Sequence, residues 1–124
     1  MKPLILVIDD NLVNLKLVVY LLKMKGYRVL QAEDAEQGLD IIRGILPDLI
    51  LLDLGLPKMD GLSLLRLLRA NERTRRLRIC AFSAHAMKGD VEKALAEGFN
   101  GYFTKPIDTR KFSQQIETAL SNPL

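Results

Sequence analysis

Asp53 ends the apolar run Leu49-Ile50-Leu51-Leu52, and the pair Asp9-Asp10 ends another, Leu4 to Ile8. A charge within such a run would be costly to bury, whereas at the carboxyl-end mouth of a parallel strand it meets solvent and ligands. Two strands that both end in Asp bring three carboxylates together. Carboxylates that close repel one another unless protons or a cation neutralise them. The first expectation is therefore a Mg²⁺ site, with one of the three carboxylates free to act as an acceptor. Two further apolar runs lead into Ser83-Ala84 and into Lys105-Pro106. A carboxylate can attack phosphorus, and a divalent ion and a lysine can neutralise the phosphoryl oxygens. A serine hydroxyl can donate a hydrogen bond to the transferred group. The chemistry these residue types share is phosphoryl transfer.

The elements that must position them alternate along the chain. Leu4–Ile8 reads as a first strand, near-continuously apolar as expected when both sheet faces are covered. Asn11 to Lys25 has helical spacing, with Leu15, Val18, Val19 and Leu22 on one face and Gly26 at its end. Arg28–Ala32 is a second strand. Asp34 with Gln37 makes a capping-box pattern for a helix whose inner face is Ala35, Leu39 and Ile42. Pro47 separates that helix from a third strand, Leu49–Leu52. The Pro57–Gly61 loop leads to a helix through Asn71, with Leu64, Leu65 and Leu68 inward. Arg78–Phe82 is a fourth strand, Gly89–Glu97 a helix, and Tyr102–Thr104 a fifth strand. Asp108 is expected to cap a last helix with Phe112, Ile116 and Leu120 on one face. Strand–helix alternation with short loops implies right-handed crossovers and a parallel sheet. Five such units predict an α/β, three-layer, doubly wound (βα)5 sandwich of the flavodoxin-like type, strand order 2-1-3-4-5. In that order the first and third strands are neighbours, which sets Asp9-Asp10 beside Asp53.

Size and charge bound the reading further. The chain has 124 residues, so a single domain spanning residues 1–124 is expected, and it is 48% hydrophobic, enough for a core. The net charge of +3 is mild, and the basic residues form no long stripe, which argues against nucleic acid as a partner. The single Cys80 lies in an apolar run and cannot form an internal disulfide, which fits a reducing compartment. No stretch reaches the roughly 18 apolar residues of a membrane span, and the first apolar run is too short for a signal peptide. A soluble cytoplasmic protein without membrane contact is expected.

Five segments, taken in order, resemble the receiver domain of a two-component response regulator. They are Val7-Ile8-Asp9-Asp10-Asn11, Leu51-Leu52-Asp53-Leu54, Leu56-Pro57-Lys58-Met59-Asp60-Gly61, Ser83-Ala84-His85-Ala86-Met87 and Gly101-Tyr102-Phe103-Thr104-Lys105-Pro106-Ile107. The Asp-Asp-Asn-x-x-Asn and Ser-Ala-His-Ala-Met wording is closest to single-domain regulators and to receivers of hybrid sensor kinases. The resemblance runs from about residue 4 to residue 121. It implies that Asp53 accepts a phosphoryl group from a phosphohistidine of a sensor histidine kinase or phosphotransfer protein. It further implies that Mg²⁺ is held by Asp10, Asp53 and the Gly55 backbone carbonyl, with Asp9 acting through water. Ser83 and Lys105 would hold the phosphoryl oxygens, Ser83 and Tyr102 would form the switch, and Lys105–Pro106 would be cis. A downstream protein would read the face of helix four, strand five and helix five. Such a module is not an enzyme beyond assisting its own phosphorylation and dephosphorylation, and no output domain is expected after residue 121.

Three positions depart from the family pattern. Gly55 removes the side chain that most members carry two residues after the acceptor, Arg78 stands where Pro is common, and Ser83 replaces the commoner Thr. Plainer readings stand beside the sharp ones. Asp9-Asp10 could cap a helix, Ser83 could be a turn residue, Lys105 a solvated lysine, and Tyr102 simple packing. His85 reads as a helix-start residue able to tune the site's lip. Arg73, Arg75, Arg76 and Arg78 form either a solvated basic edge or a docking patch for an acidic partner. An Asp-nucleophile phosphohydrolase is the alternative enzyme, but it needs a second Asp at position 55, which is Gly. A phosphorylation-independent interaction module is the other alternative. The absence of a Gly-Lys-Ser/Thr loop excludes a P-loop NTPase.

Overall fold

The computed structural model describes residues 2–84 and 88–121. Five parallel strands, β1 (Leu4–Ile8), β2 (Arg28–Ala32), β3 (Leu49–Asp53), β4 (Ile79–Ser83) and β5 (Gly101–Thr104), form one sheet in the order 2-1-3-4-5. The helices between and after them are α1 (Leu12–Met24), α2 (Ala35–Gly44), α3 (Gly61–Ala70), α4 (Lys88–Glu97) and α5 (Phe112–Ser121). This is the doubly wound (βα)5 arrangement expected from the alternation.

The continuous apolar strands are divided by the two-residue period of the pleat. Leu6, Ile8, Ile50, Leu52, Ile79 and Ala81 point to one face and pack with buried residues of α2, α3 and α4. Ile5, Val7, Leu49, Leu51, Cys80 and Phe82 point to the other and pack against α1 and α5. On that second face Phe82, Phe103 and Phe112 cluster, with centroids 5.1 Å apart for the first pair and 5.9 Å for the last two. Each such side chain taken from water contributes about 1.5–3 kcal/mol. Cys80 is fully enclosed, and burial pushes its thiol up to about 12, so it serves as packing.

Local signals set the element ends. The Asn11 side chain accepts the Asn14 N–H at 3.0 Å and opens α1. Gly26 closes it at φ +87, a left-handed position suited to glycine. Asp34 caps α2 through the Gln37 N–H at 2.8 Å, but the Gln37 side chain returns to the Glu33 N–H rather than to the cap residue's own. Asp60 caps α3 through Ser63 N–H, and that bond holds its carboxyl below the usual range.

Two expectations need correction. The fourth strand runs Ile79–Ser83, one residue later than read from the apolar run, because Arg78 lies before the ladder and Asp53 pairs in register with Phe82. Asp108 does not cap the last helix. Its carboxylate accepts the Arg110 N–H at 3.0 Å in a separate turn, and α5 starts at Phe112.

Gly61 sets how closely α3 approaches the end of β3. A Cβ there would lie 2.5 Å from the Asp53 carbonyl oxygen and 2.8 Å from Leu54 Cα, both backbone. Gly44, at the last turn of α2, has nothing within 4 Å of such a Cβ. Gly61→Ala should therefore destabilise the fold by about 1–3 kcal/mol, as overpacking does. Gly44→Ala should be neutral or stabilise by up to about 1 kcal/mol through helix propensity. Urea unfolding of the two variants checks the pair, and equal stabilities would refute the packing argument.

Candidate functional site

The 2-1-3 strand order delivers what the apolar runs promised. Ile8 of β1 pairs with Leu52 of β3, so the residues that follow each share one mouth. One carboxylate oxygen from each of Asp9, Asp10 and Asp53 lies within 4.8 Å of the others. Asp9 and Asp53 are 1% and 6% exposed, whereas Asp10 is open to solvent.

Donors gather around the two buried carboxylates. Asp9 Oδ1 accepts the Asn11 N–H at 2.9 Å, and Oδ2 accepts from the Asn14 side-chain amide. Asp53 Oδ1 accepts the Gly55 N–H at 3.1 Å. The Lys105 ammonium bridges the pair, with Nζ 3.1 Å from Asp9 Oδ2 and 3.3 Å from Asp53 Oδ2. Among the described residues one ammonium faces three carboxylates, an excess of acid at the mouth. The ligand atoms are all oxygens, the set suited to a hard divalent cation such as Mg²⁺. The chemistry of the donors and their excess charge both fit that ion.

Strands β4 and β5 bring in the remaining residues. Ser83, 5% exposed, ends β4 opposite Thr104, and its carbonyl accepts the Lys105 N–H at 2.8 Å. The Lys105–Pro106 peptide is cis. Tyr102 is partly buried against the α2–α3–α4 side of the core. It shares with Ser83, Leu54, Leu62, Ala94 and Phe99 the wall of a cavity of about 190 Å³. A larger cleft of about 390 Å³ between β5 and α5 includes none of the acidic residues. Gly55 is exposed, and among the described residues a Cβ there would meet only Asp53 Oδ1, at 3.8 Å. His85 lies outside the described residues.

Asn14 has a place in the site that the residue types alone had not assigned it. The signal was the Asp-Asp-Asn-x-x-Asn spacing, which sets the second Asn on the first turn of α1, facing back toward β1. Arg69 was missed as well. Its guanidinium donates to the carbonyls of Arg75, Leu77 and Gly98 and to Asn100 Oδ1, tying α3 to the loops before β4 and β5.

Residues 5–117 match the response regulator receiver domain family. The polar-differentiation response regulator DivK of Brucella ovis is 34% identical over 122 residues, which cover 98% of this chain and 99% of that protein. The receiver domain of a sensor histidine kinase from Pseudomonas aeruginosa, solved with a magnesium ion coordinated in its active-site cleft, is 34% identical, with TM-score 0.87 and 98% and 100% of the two chains covered. A response regulator structure from Chloroflexus aurantiacus superposes with TM-score 0.91 at 25% identity, over 98% and 100% of the chains.

The Lys105 ammonium competes with any metal for the negative charge of Asp9 and Asp53. Lys105→Met should raise Mg²⁺ affinity several-fold, a change of about 1 kcal/mol. Asn14→Ala, which frees Asp9, should lower it. Mg²⁺ titrations followed by NMR amide shifts measure both, and unchanged affinity in Lys105→Met would show that the ammonium and the ion do not share these charges.

Proposed function

Because this chain belongs to the response regulator receiver family, we propose that Asp53 takes a phosphoryl group from the phosphohistidine of a sensor histidine kinase or phosphotransfer protein, in two-component signalling, and that residues 1–124 act as one receiver domain. The observation that carries the reading is the buried Asp53 carboxylate, held between the Gly55 N–H at 3.1 Å and the Lys105 ammonium at 3.3 Å beside two further carboxylates.

In the proposed reaction an Asp53 carboxylate oxygen forms a bond to phosphorus as the P–N bond to the partner imidazole breaks, and the imidazole leaves with the electron pair. Asp10, Asp53 and the Gly55 carbonyl would hold Mg²⁺, with Asp9 acting through water. The bound ion supplies neutralisation of the equatorial phosphoryl oxygens. Lys105 would neutralise a further oxygen, its ammonium already lying between Asp9 and Asp53. Asn14 and the Asn11 N–H fix Asp9 so that it cannot swing toward the incoming group. Ser83 donates its hydroxyl to a phosphoryl oxygen, and Tyr102 turns into the cavity it shares with Ser83. That change would be read on the face of α4, β5 and α5. The reading as an Asp-nucleophile phosphohydrolase is weaker, since Gly55 offers no general acid.

The surface of α1 supports a helical partner. Val13, Leu17, Tyr20 and Met24 are all exposed, three of them by 80%, 62% and 65% for Val13, Tyr20 and Met24. Their four–three–four spacing is that of a seam between packed helices. The seam begins one turn from Asp10, so a helix laid along it reaches the mouth. Lys16 and Lys23 flank it and α1 has no acidic residue, which favours an acidic partner helix.

Acetyl phosphate with Mg²⁺ should label wild type with acid-labile phosphate and leave Asp53→Asn unlabelled. Beryllofluoride should shift the amides of Ala84 and residues 101–104 in wild type alone. Tyr20→Glu should keep acetyl phosphate labelling yet slow transfer from a phosphohistidine partner about tenfold, a barrier change of about 1.4 kcal/mol. Full labelling of Asp53→Asn would refute the acceptor and return the chain to a phosphorylation-independent module.

Gly55 leaves the lip of the site open to water, and hydrolysis of the acyl phosphate needs water in line with the leaving carboxylate. A Cβ at position 55 makes only an ordinary contact among the described residues, and Gly55→Met keeps the backbone carbonyl. It should slow dephosphorylation several-fold, about 1 kcal/mol of barrier, with Mg²⁺ affinity nearly unchanged. Chase kinetics after donor removal measure this, and equal or faster decay would show that the lip does not set the lifetime.

A further inference from the structure

Six of the nine arginines lie between Arg66 and Arg78, a stretch with one acidic residue, Glu72, and no lysine. Some have structural work. Arg66 pairs with Glu97 at 3.3 Å, Arg69 is spent on three carbonyls and Asn100, and Arg78 is partly buried. Arg73, Arg75 and Arg76 are exposed, and among the described residues their guanidinium groups make no hydrogen bond or ion pair.

The loop that carries these three is held in one shape. The buried Thr74 hydroxyl donates to the Leu68 carbonyl at 2.6 Å. Asn71 accepts the Arg73 N–H on its side chain at 2.9 Å and the Arg75 N–H on its carbonyl at 2.8 Å. Arg69 reaches the Arg75 and Leu77 carbonyls at 2.9 and 2.6 Å. The three cations are thus presented from a fixed backbone, which lowers the ordering cost of binding.

Beside the loop, a groove of about 220 Å³ runs between α2 and α3, floored by Leu39, Ile42, Leu67 and Leu68 and edged by Arg43 and Arg73. Leu67 is 48% exposed. The groove lies at the amino end of the sheet, since the Arg78 carbonyl accepts the Ile50 N–H as β4 begins, whereas Asp53 sits at the carboxyl end. An occupant there does not block the phosphoacceptor mouth.

We propose that this groove and its arginine rim are a docking site for an acidic segment of a partner protein carrying a leucine-type anchor, independent of phosphorylation at Asp53. Guanidinium forks match carboxylates in bidentate geometry, and the apolar floor takes the anchor. Among the described residues no aromatic side chain lines the groove, so they offer no stacking platform for single-stranded bases. A concave floor also suits a side chain better than a lipid surface.

The test is an NMR titration of the whole protein with a synthetic peptide of two leucines between pairs of glutamates. Saturable shifts are expected at residues 67–76, of equal affinity in Asp53→Asn. Affinity should fall about tenfold in Arg73→Glu/Arg75→Glu, which removes two charge-assisted contacts, and by a similar factor when the peptide's leucines become serines. Acetyl phosphate labelling of the double variant confirms that it is folded. The proposal is overturned by no saturable binding, by shifts centred elsewhere, or by equal binding of the serine peptide. Oligothymidylate or phosphatidylserine vesicles binding as tightly would assign the rim to generic polyanions. A mass that rises with concentration and falls with the double variant would assign the groove to a second copy, through the acidic Glu33–Asp40 stretch.

Discussion

Everything at the mouth follows from gathering three carboxylates where two of them are nearly dry. The protein cannot leave Asp9 and Asp53 uncompensated, because a buried unpaired charge costs several kcal/mol. Among the described residues it supplies a cation, Lys105, and a set of neutral donors from the backbone and from Asn14. The compensation is incomplete, and the incompleteness is what suits the site to a divalent ion. The same constraint explains the sheet. Only a strand order that places β1 beside β3 joins the two acidic strand ends, and only a fifth strand beside β4 brings Lys105 across from the far side.

The neutral donors and the lysine differ in what they can do next. Asn14 and the Asn11 N–H belong to the capped first turn of α1 and keep Asp9 in place whatever happens at Asp53. Lys105 divides its charge between two acids at similar distances, so a change in charge on either can redirect it. On the other side of Ser83, Tyr102 and the 190 Å³ cavity are flanked by α4, whose carboxyl end is tied by Arg66 and Arg69. The Arg69 contacts with Gly98 and Asn100 fix the base of β5 to α3. Motion in this region is therefore expected at the ends of β4 and β5 nearest the mouth rather than at the foot of the sheet.

Much of this was legible in the sequence because period and punctuation agree. Unbroken apolar runs of four or five residues ending in charge are buried parallel strands, and Asn11, Asp34 and Asp60 stand where helix caps stand. The acidic triad followed once strand order was inferred. The one-residue shift of β4 was not legible, since Arg78 and Ser83 are both polar ends of the same apolar run and only pairing with β3 chooses between them. Asp108 misled because an Asx turn and a helix cap share one residue type. The Arg69 contacts with Gly98 and Asn100 were hidden for a different reason. They join segments far apart in the chain, and spacing carries no record of such contacts.

Magnitudes explain why the mouth needs both Ser83 and Lys105 if it is to act as a switch. Moving a two-state equilibrium from 1:99 to 99:1 takes about 5.5 kcal/mol of differential stabilisation. A hydrogen bond to a charged group contributes about 1.5–3 kcal/mol. One donor falls short, whereas two reach the required range when neither is fully engaged beforehand. Lys105 enters that sum at a discount, because it already contacts Asp9 and Asp53 and gains only the difference. In the proposed switch the Ser83 hydroxyl would likewise count only for the difference between its present contacts and those it makes to a phosphoryl group. The absence of a threonine methyl at position 83 bears on the same point. A smaller side chain fills less of the cavity that Ser83 and Tyr102 line together, which would leave the ring more room in the proposed switch.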